Sequence, residues 1–238
     1  MRAVVRNNKP PSGLQGTGVY ESVKAHVIAD EVPSGKRILV EPLADKLFVS
    51  NTPVREALIR LAAERVIKDV PKSGFFIKEI SESEVRDLYS LQGLLLAWSL
   101  GHLERGGRVP GFLKPPDLLS SAGESSEFSS KLTVRLTNEL FIHIARQTGN
   151  ADVVHLVRNI NDRTYFVRRK DYEIFGEGEA ELRRLCETYH QKNFARLRGD
   201  LEAYFRNRLD RLPELLRLLR GSLLRLRASS DFPGSERR

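Results

Sequence analysis

The chain contains very little cysteine, since Cys186 is the only one among its 238 residues. A single cysteine excludes an intrachain disulfide and a zinc site built from several cysteines. Long hydrophobic runs are also missing, because the longest strongly apolar stretch, Leu94–Leu100, is far too short to span a bilayer. The first residues lack the hydrophobic segment of a signal peptide. These absences predict a cytoplasmic protein with no membrane partner.

The sequence also lacks the motifs by which common enzyme classes are identified. It has no Gly-rich phosphate loop, no zinc-protease motif and no Ser/His/Asp signature. Its five histidines and scattered carboxylates form no recognisable catalytic pattern. We therefore predict that the protein is not an enzyme.

Positive charge is concentrated at the two ends of the chain, which carries a net charge of +8. Residues 1–78 hold 13 Lys or Arg and 8 Asp or Glu, and residues 205–238 hold 9 and 4. Residues 79–204 hold 17 and 19 and are mildly acidic. A basic N-terminal region suits binding to phosphates. Ordinary surface charge would give the same count, so charge alone does not identify a DNA-binding protein.

Residues 50–64 have the pattern of a short helix with a buried back and a polar front end. Pro53 falls in the first turn, where its missing N–H costs little, and Ser50 or Thr52 is placed to cap the free backbone donors. Asn51 and Arg55 lie away from the apolar stripe, near the N-terminal end, which suits insertion into the DNA major groove. The stripe consists of Val54, Ala57, Leu58 and Leu61.

A second helix is predicted just before this one, at residues 40–49, with an apolar stripe of its own. A tight connection through Phe48 joins the two helices into a helix-turn-helix. Because the usual glycine is absent from this turn, we expect Phe48 to adopt the left-handed conformation. The stripe consists of Leu43, Ala44 and Leu47.

A β-hairpin is predicted after the helix-turn-helix. Residues 66–70 and 75–78 have the composition of two short strands, and the turn residues between them form a basic tip. Lys72 is placed to meet a phosphate, while Ser73 and Gly74 allow close approach of the backbone. Such a hairpin is the wing of a winged helix.

With a further amphipathic helix at residues 19–30, the region from about 19 to 80 resembles the winged helix-turn-helix domain of GntR-type bacterial transcription regulators. The resemblance implies that the chain binds a double-stranded DNA operator. This chain has Asn51 and Arg65 where the family commonly has Arg and Gly, so the operator sequence stays open. The matching segments are residues 43–47 and 49–58, with Leu61, Glu64 and Gly74. The expected DNA-binding residues are Ser50, Asn51, Thr52, Arg55, Lys72, Ser73 and Gly74.

The rest of the chain shows almost only helical patterns, so we predict a mainly α protein whose second domain is an all-helical bundle. A Pro-, Gly- and Ser-rich loop is expected at residues 108–127, and a helix break at Gly199-Asp200. The predicted organisation is a flexible basic arm at 1–16, the winged domain at 17–79, a linker at 80–83, the helical domain at 84–222 and a disordered tail at 223–238.

The helical region resembles the effector domain of the FadR branch of the GntR family, called the FCD domain. The anchors are Leu140-Phe141, Ile144, Gly149-Asn150 and Gly199-Asp200. Many members hold a divalent metal through an Asp and three His residues. The corresponding positions here are Thr137, Phe141, Tyr189 and Arg211. None is a good metal ligand in this setting, so we predict that the metal is absent.

Two histidines lie near the missing ligand positions and leave a shifted metal site open as an alternative. His143 is two residues from Phe141, at the first His position, and His190 is next to Tyr189, at the second. A two-residue shift turns a helical side chain by about 200°. The apolar stripe Leu136, Leu140 and Ile144 therefore places Phe141, rather than His143, near the core.

Thr137, Phe141, Tyr189 and Arg211 instead form a candidate effector pocket with an aromatic wall, two hydroxyls and one guanidinium. A buried Arg211 would need an anionic partner, such as the carboxylate of a small organic-acid or acyl effector. The alternative is that Arg211 lies on the surface of a basic last helix.

The resemblance implies a homodimeric, metabolite-responsive repressor that binds a palindromic operator. The competing interpretation is a DNA-binding regulator whose helical domain only dimerises and senses no ligand. The apolar run at residues 94–98 is a candidate dimer surface.

Overall fold

A computed structural model describes residues 16–28, 34–106 and 129–230, with side chains described for residues 18–28, 34–106 and 129–220. The chain divides into two compact units, residues 1–80 and 81–238. The expected arm therefore lies almost entirely outside the described residues, as does the loop predicted at 108–127. No helix in the described ranges has both the length and the apolar character needed to cross a membrane.

The first unit is a winged helix-turn-helix, which confirms the predicted fold. Its three strands form an antiparallel sheet in the order β1-β3-β2, and Val70 pairs with Gly74 at the closed end of the wing. Strand β1 was not predicted from the sequence. The elements are α1 (Gly16–Ile28), β1 (Arg37–Ile38), α2 (Val40–Leu47), α3 (Asn51–Ala63), β2 (Ile67–Val70) and β3 (Gly74–Ile77).

The core of this unit fixes the orientation of α3. Val23 of α1 meets Val54, Leu58 and Leu61 of α3 in one apolar cluster, and all four side chains are fully buried. Burying each of these side chains stabilises the fold by roughly 1.5–3 kcal/mol. The opposite face of α3 is thereby held towards solvent.

The turn between α2 and α3 has the left-handed residue that the sequence predicts. Phe48 has φ 55° and ψ 41°, and its backbone N–H donates to the carbonyl of Asp45 at 3.2 Å. Its side chain is 80% exposed. Of the two residues expected to cap α3, Ser50 and Thr52, Ser50 holds the N-cap position in an extended conformation without a side-chain hydrogen bond.

The second unit is all-helical, as predicted. Ser129 and Asn150 cap α5 and α6, with side-chain oxygens accepting from the backbone N–H groups of Leu132 at 3.3 Å and Asp152 at 2.9 Å. The helices are α4 (Glu82–Glu104), α5 (Ser130–Arg146), α6 (Ala151–Phe175), α7 (Gly178–His190) and α8 (Phe194–Ser230).

Two predicted boundaries in this unit are wrong. Gly199-Asp200 lies inside α8, and the chain breaks instead at residues 191–193. There Lys192 adopts φ 55° and the Asn193 side chain accepts from the backbone N–H of Arg196 at 3.1 Å, so a left-handed residue and a polar cap replace the expected glycine. Helix α8 also continues to Ser230, so residues 223–230 of the predicted tail are helical.

Candidate nucleic-acid interface and buried polar cluster

The N-terminal end of α3 presents polar side chains to solvent. Asn51, Thr52 and Arg55 are exposed, whereas the four apolar residues of the predicted stripe are buried. Backbone N–H groups in the first turn of a helix have no intrahelical partner, and this end of the helix carries a partial positive charge. The end of α3 is therefore suited to a phosphate or to the edge of a base.

A groove of about 660 Å³ runs between α3 and the wing. The structure brings Arg55 together there with the predicted wing residues, while Ser50, Asn51 and Thr52 do not line the groove. Its lining includes Arg37, Arg55, Lys72, Ser73 and Gly74, together with Glu41 and Asp69.

The cations of this groove are available for an external anion. Within the described residues, Arg37, Arg55 and Lys72 are exposed and have no carboxylate partner. Arg60, on the same helix as Arg55, is already engaged. Its Nε donates to Glu64 at 3.0 Å and its guanidinium lies 3.9 Å from the Tyr20 ring centroid.

The tip of the wing has a tightly constrained backbone. Ser73 donates its N–H to the carbonyl of Val70 at 2.9 Å, and Lys72 and Gly74 have φ values of 63° and 98°. A Cβ at Gly74 would lie 3.5 Å from Nε of Arg37, in a conformation that side chains rarely adopt. That distance is an ordinary contact, so glycine is favoured at this position by its positive φ rather than by lack of space.

Arg37 is a groove residue that the sequence reasoning missed. It lies on β1, which pairs with β3 through Arg37 and Phe76. A strand of two residues gives no alternating pattern, so periodicity could not reveal it. The basic pair Lys36-Arg37 before the apolar Ile38 was the available signal.

Two of the candidate effector-pocket residues lie together in the core of the helical unit. Thr137 and Phe141 are fully buried. The Thr137 hydroxyl lies 3.2 Å from that of Tyr172, which in turn lies 2.8 Å from that of Tyr204. Phe141 packs edge-on against Tyr204, with ring centroids 5.5 Å apart. The result is a chain of three hydroxyl groups beside an aromatic cluster.

The other two candidate pocket residues contact different neighbours. Tyr189 packs edge-on against His143 with ring centroids 5.3 Å apart, and burial raises the pKa of its phenol to about 12. Arg211 is partly exposed and donates to Glu177 at 2.5 Å, while its guanidinium lies 5.0 Å from the Phe175 ring centroid. Arg211 thus has a surface ion pair rather than a place beside Thr137.

His143 is buried. This differs from the prediction that Phe141 faces the core and His143 does not. Its Nε2 lies 3.2 Å from Nε2 of Gln147, and burial, followed by the charges of Arg146 and His190, lowers its pKa. His190 is exposed. In the part of the chain that the structure describes, no three His, Cys, Asp or Glu side chains are grouped to hold a metal ion.

The helical unit buries three arginines that sequence reasoning missed, Arg168, Arg169 and Arg208, and of these Arg169 and Arg208 have acidic partners. Arg208 is 2% exposed and donates twice to Glu181, with Asp171 at 3.6 Å. Its guanidinium lies 3.5 Å from the Tyr204 ring centroid. Burial raises the pKa of Asp171, which the nearby positive charge of Arg208 opposes.

The third buried arginine, Arg168 of α6, has only neutral partners among the described residues. It is fully buried, and its guanidinium donates to amide and hydroxyl oxygens. The hydrogen-bond lengths are 2.8 Å to Gln92, 3.2 Å to Thr164 and 3.3 Å to Asn161, and a further bond reaches Asn138. Among the described residues, no carboxylate lies within ion-pair distance of Arg168.

The first turn of α7 packs tightly on one of the core tyrosines. A Cβ built on Gly178 would overlap the ring of Tyr172. Glycine therefore allows α7 to begin directly against the residue whose hydroxyl links Thr137 to Tyr204.

The arrangement is that of a winged helix-turn-helix DNA-binding domain followed by a helical domain. Residues 15–77 match the family model described as bacterial regulatory proteins, gntR family. Within residues 15–77 the chain therefore has the DNA-binding domain of this family.

Relatives with known names agree with this assignment. The chain is 30% identical over 139 residues to the Nta operon transcriptional regulator of Aminobacter aminovorans, covering 58% of this chain and 66% of that protein. It therefore spans just under two thirds of that relative's length. It is 27% identical over 177 residues to the regulator McbR of Escherichia coli, covering 72% and 77%.

Solved structures show the same fold. The structure of E. coli McbR/YncC matches with a TM-score of 0.58 at 17% identity, covering 86% of this chain and 98% of that one. A GntR transcriptional regulator from Rhodococcus sp. RHA1 matches with a TM-score of 0.60 at 15% identity, covering 84% and 97%.

Proposed function

We propose that the protein is a cytoplasmic homodimeric repressor that binds a palindromic operator and responds to a small organic-acid or acyl effector. The observation that carries the DNA-binding part is the groove between α3 and the wing, where three exposed cations have no carboxylate partner among the described residues. One recognition helix and one wing cover a single half-site, so a palindrome requires two copies of the chain.

In this proposal the interface residues have different roles. Arg55 reaches a base edge or phosphate beside α3, and Asn51 affects sequence preference more than affinity. Ser50 and Thr52 contact the backbone from the N-terminal end of the helix. Lys72 meets a phosphate, and Ser73 and Gly74 let the wing approach closely.

An exposed apolar stripe on α4 supports self-association. Leu91, Leu94 and Trp98 are 39, 67 and 47% exposed and lie three and four residues apart, on one helical face. Exposed apolar side chains in one stripe mark an interaction surface. A second copy of the chain would cover them.

The helical unit is proposed to be an FCD-like domain without the family's metal. The positions of the four expected ligands are Thr137, Phe141, Tyr189 and Arg211, none of which suits a divalent ion. The competing interpretation is a domain that dimerises and senses nothing. The complete burial of Thr137 and Phe141 against neighbours in the same unit favours that alternative.

Selection of random duplex DNA by the full-length protein tests the proposal. We expect enrichment of two inverted copies of one short motif, and repression of a reporter placed behind the selected site. An enriched motif in a single copy would contradict the palindrome, and failure to enrich any sequence would contradict operator recognition.

Light scattering tests the dimer surface. Leu94→Asp places a charge in the apolar stripe and should convert dimer to monomer. Leu156→Asp is the matched control, because Leu156 is a 41% exposed leucine on α6 outside the stripe. A Leu94→Asp protein that remains dimeric would exclude the stripe as the interface.

Thermal unfolding with organic acids, acyl compounds and divalent metals separates a sensor from a dimerisation domain. A ligand that binds the folded state but not the unfolded chain raises the melting temperature, and the rise grows with the logarithm of the ligand concentration once this exceeds the Kd. Stabilisation by an organic acid supports sensing, and no response to the whole panel favours the alternative.

A further inference from the structure

Phe48 presents an aromatic ring to solvent in the turn between α2 and α3. It is 80% exposed, whereas its chain neighbours Leu47 and Val49 pack against the core of the winged unit. Within the described residues, the Phe48 ring has no aromatic or cation–π partner. The ring therefore contributes little to the folded core.

The backbone of Phe48 is in a conformation that favours glycine. A single exposed apolar side chain is common on protein surfaces and by itself indicates no function. Phe48, however, has φ 55° and ψ 41°, and in this left-handed region a Cβ crowds its own backbone. The backbone N–H groups of Phe48 and Val49 hold the turn by donating to carbonyls of α2 at 3.2 and 3.1 Å, and glycine would keep both bonds. Phenylalanine at this position thus costs stability that glycine would not cost.

Phe48 lies beside the end of α3 that presents polar side chains to solvent. It precedes the exposed Asn51 by three residues. Because consecutive Cα atoms are about 3.8 Å apart, the Cα atoms of these two residues are separated by about 11 Å or less. Base pairs repeat roughly every 3.4 Å along the duplex, so a base reached by Phe48 would lie within about three or four base pairs of one reached by Asn51.

We propose that Phe48 is a specificity-determining residue that packs on the C5-methyl group of a thymine in the major groove. The inference rests on the proposed operator binding. Thymine alone presents a methyl group in this groove, and phenylalanine is among the side chains that contact it. A methyl group forms no hydrogen bond, so the polar side chains of α3 are poorly suited to recognise it. An apolar ring next to them supplies that contact by removing the methyl group from water.

Replacing thymine by uracil in the selected operator tests this contact, because the exchange removes only the methyl group. Each thymine of one half-site is replaced in turn, and the affinity of the full-length protein is measured by fluorescence anisotropy. For the wild type, one replacement within three or four base pairs of the α3 contact should weaken binding by about two- to fourfold, the effect of losing one buried methyl group.

Phe48→Gly removes the ring and keeps the turn, so its melting temperature should equal or exceed that of the wild type. It should bind the thymine and uracil duplexes equally at the sensitive position, while replacements elsewhere keep their wild-type effects. Phe48→Asn is the second variant, since asparagine also tolerates the left-handed conformation, and it should lose the same preference. Leu156→Ala is the control, because it removes a 41% exposed leucine from the helical unit and should keep the preference.

Several results would overturn the proposal. One is a half-site in which no replacement of thymine by uracil weakens wild-type binding, and another is an unchanged thymine preference in Phe48→Gly. Weaker binding of this variant to every duplex, with the preference kept, would place the ring on the sugar-phosphate backbone instead. A lower melting temperature, or conversion of dimer to monomer in light scattering, with the preference kept, would assign the ring to the fold or to a protein interface.

Failure of this inference can be distinguished from failure of the proposed function. If the protein enriches no operator from random DNA, operator binding itself fails. If it enriches an operator and binds it with the same affinity in the wild type and Phe48→Gly, operator binding stands and only the contact by Phe48 is lost.

Discussion

The two units of this chain place their important charges in opposite environments. In the winged unit, Arg37, Arg55 and Lys72 are exposed along a groove and have no acidic partner among the described residues. In the helical unit, Arg168 and Arg208 are buried among aromatic and polar side chains.

The difference concerns what each kind of charge can recognise. Exposed cations remain hydrated, cost the fold little and attract a polyanion through a salt-dependent interaction. Buried cations cost the fold much more and are strongly favourable only with an anion at hydrogen-bonding distance. An exposed set therefore suits a nucleic acid, and a buried one suits either an internal carboxylate or a small ligand.

Removing Arg208 should give the largest effect and tests the buried side of this comparison. In Arg208→Gln, Glu181 and Asp171 would be left buried without their cation, so the free energy of unfolding should fall by about 3–5 kcal/mol. Urea unfolding followed by circular dichroism measures this. Arg211→Gln, which loses the partly exposed pair with Glu177, should cost about 1 kcal/mol or less. Equal losses in both variants would contradict the distinction between them.

Arg55→Ala tests the exposed side. We expect operator binding to weaken by roughly 1–3 kcal/mol, without loss of folded stability, because Arg55 faces away from the core. Fluorescence anisotropy with the selected duplex measures the affinity. Arg60→Ala is the control, since it removes a cation of the same helix that already contacts Glu64 and Tyr20. Wild-type affinity for Arg55→Ala would remove this residue from the interface.

Lys72→Ala should have a smaller and less selective effect. A phosphate contact at the wing tip contributes equally to all DNA sequences, so the slope of log affinity against log salt should fall by about one. Lys68→Ala provides the comparison, because Lys68 is exposed on β2 but does not line the groove. The same change in slope for both variants would mean that only total charge matters.

The smallest expected effect is the contribution of His143 to the dependence of folded stability on pH. Its pKa is lowered in the folded state, so the unfolded chain binds more protons below its usual value of 6.5. Stability is therefore fully present above pH 6.5 and is lost as the pH falls towards the lower folded pKa. His143→Gln should flatten this part of the profile in urea titrations. An unchanged profile would assign the pH dependence to other groups.

The winged unit could be predicted from the sequence because its signals are local. Each signal depends on a few adjacent residues. The signals are Pro53 at the first turn of α3, the buried stripe ending at Leu61 and the wing turn at Lys72. Even the left-handed turn at Phe48 followed from the missing glycine. Arg55 and Lys72 are exposed and line one groove, and their role in DNA binding stays a prediction.

The helical unit was harder to predict because its features depend on contacts between distant residues. Gly199 suggested a break, but a lone glycine is tolerated inside a helix, and Asn193 supplied the actual cap. Arg168 lies four residues after Thr164 and seven after Asn161, on the buried side of α6, and that spacing was the available signal. Its neutral partners come from three helices and could not be read from any one segment.

The contact between Gly178 and Tyr172 has a mechanical consequence. Any side chain at position 178 would push the Tyr172 ring aside, and that ring carries the middle hydroxyl of the chain from Thr137 to Tyr204. Adding a methyl group at the start of α7 would therefore move the Tyr172 ring, and its hydroxyl would shift relative to Thr137 of α5 and Tyr204 of α8. We therefore expect related sequences to keep glycine at position 178.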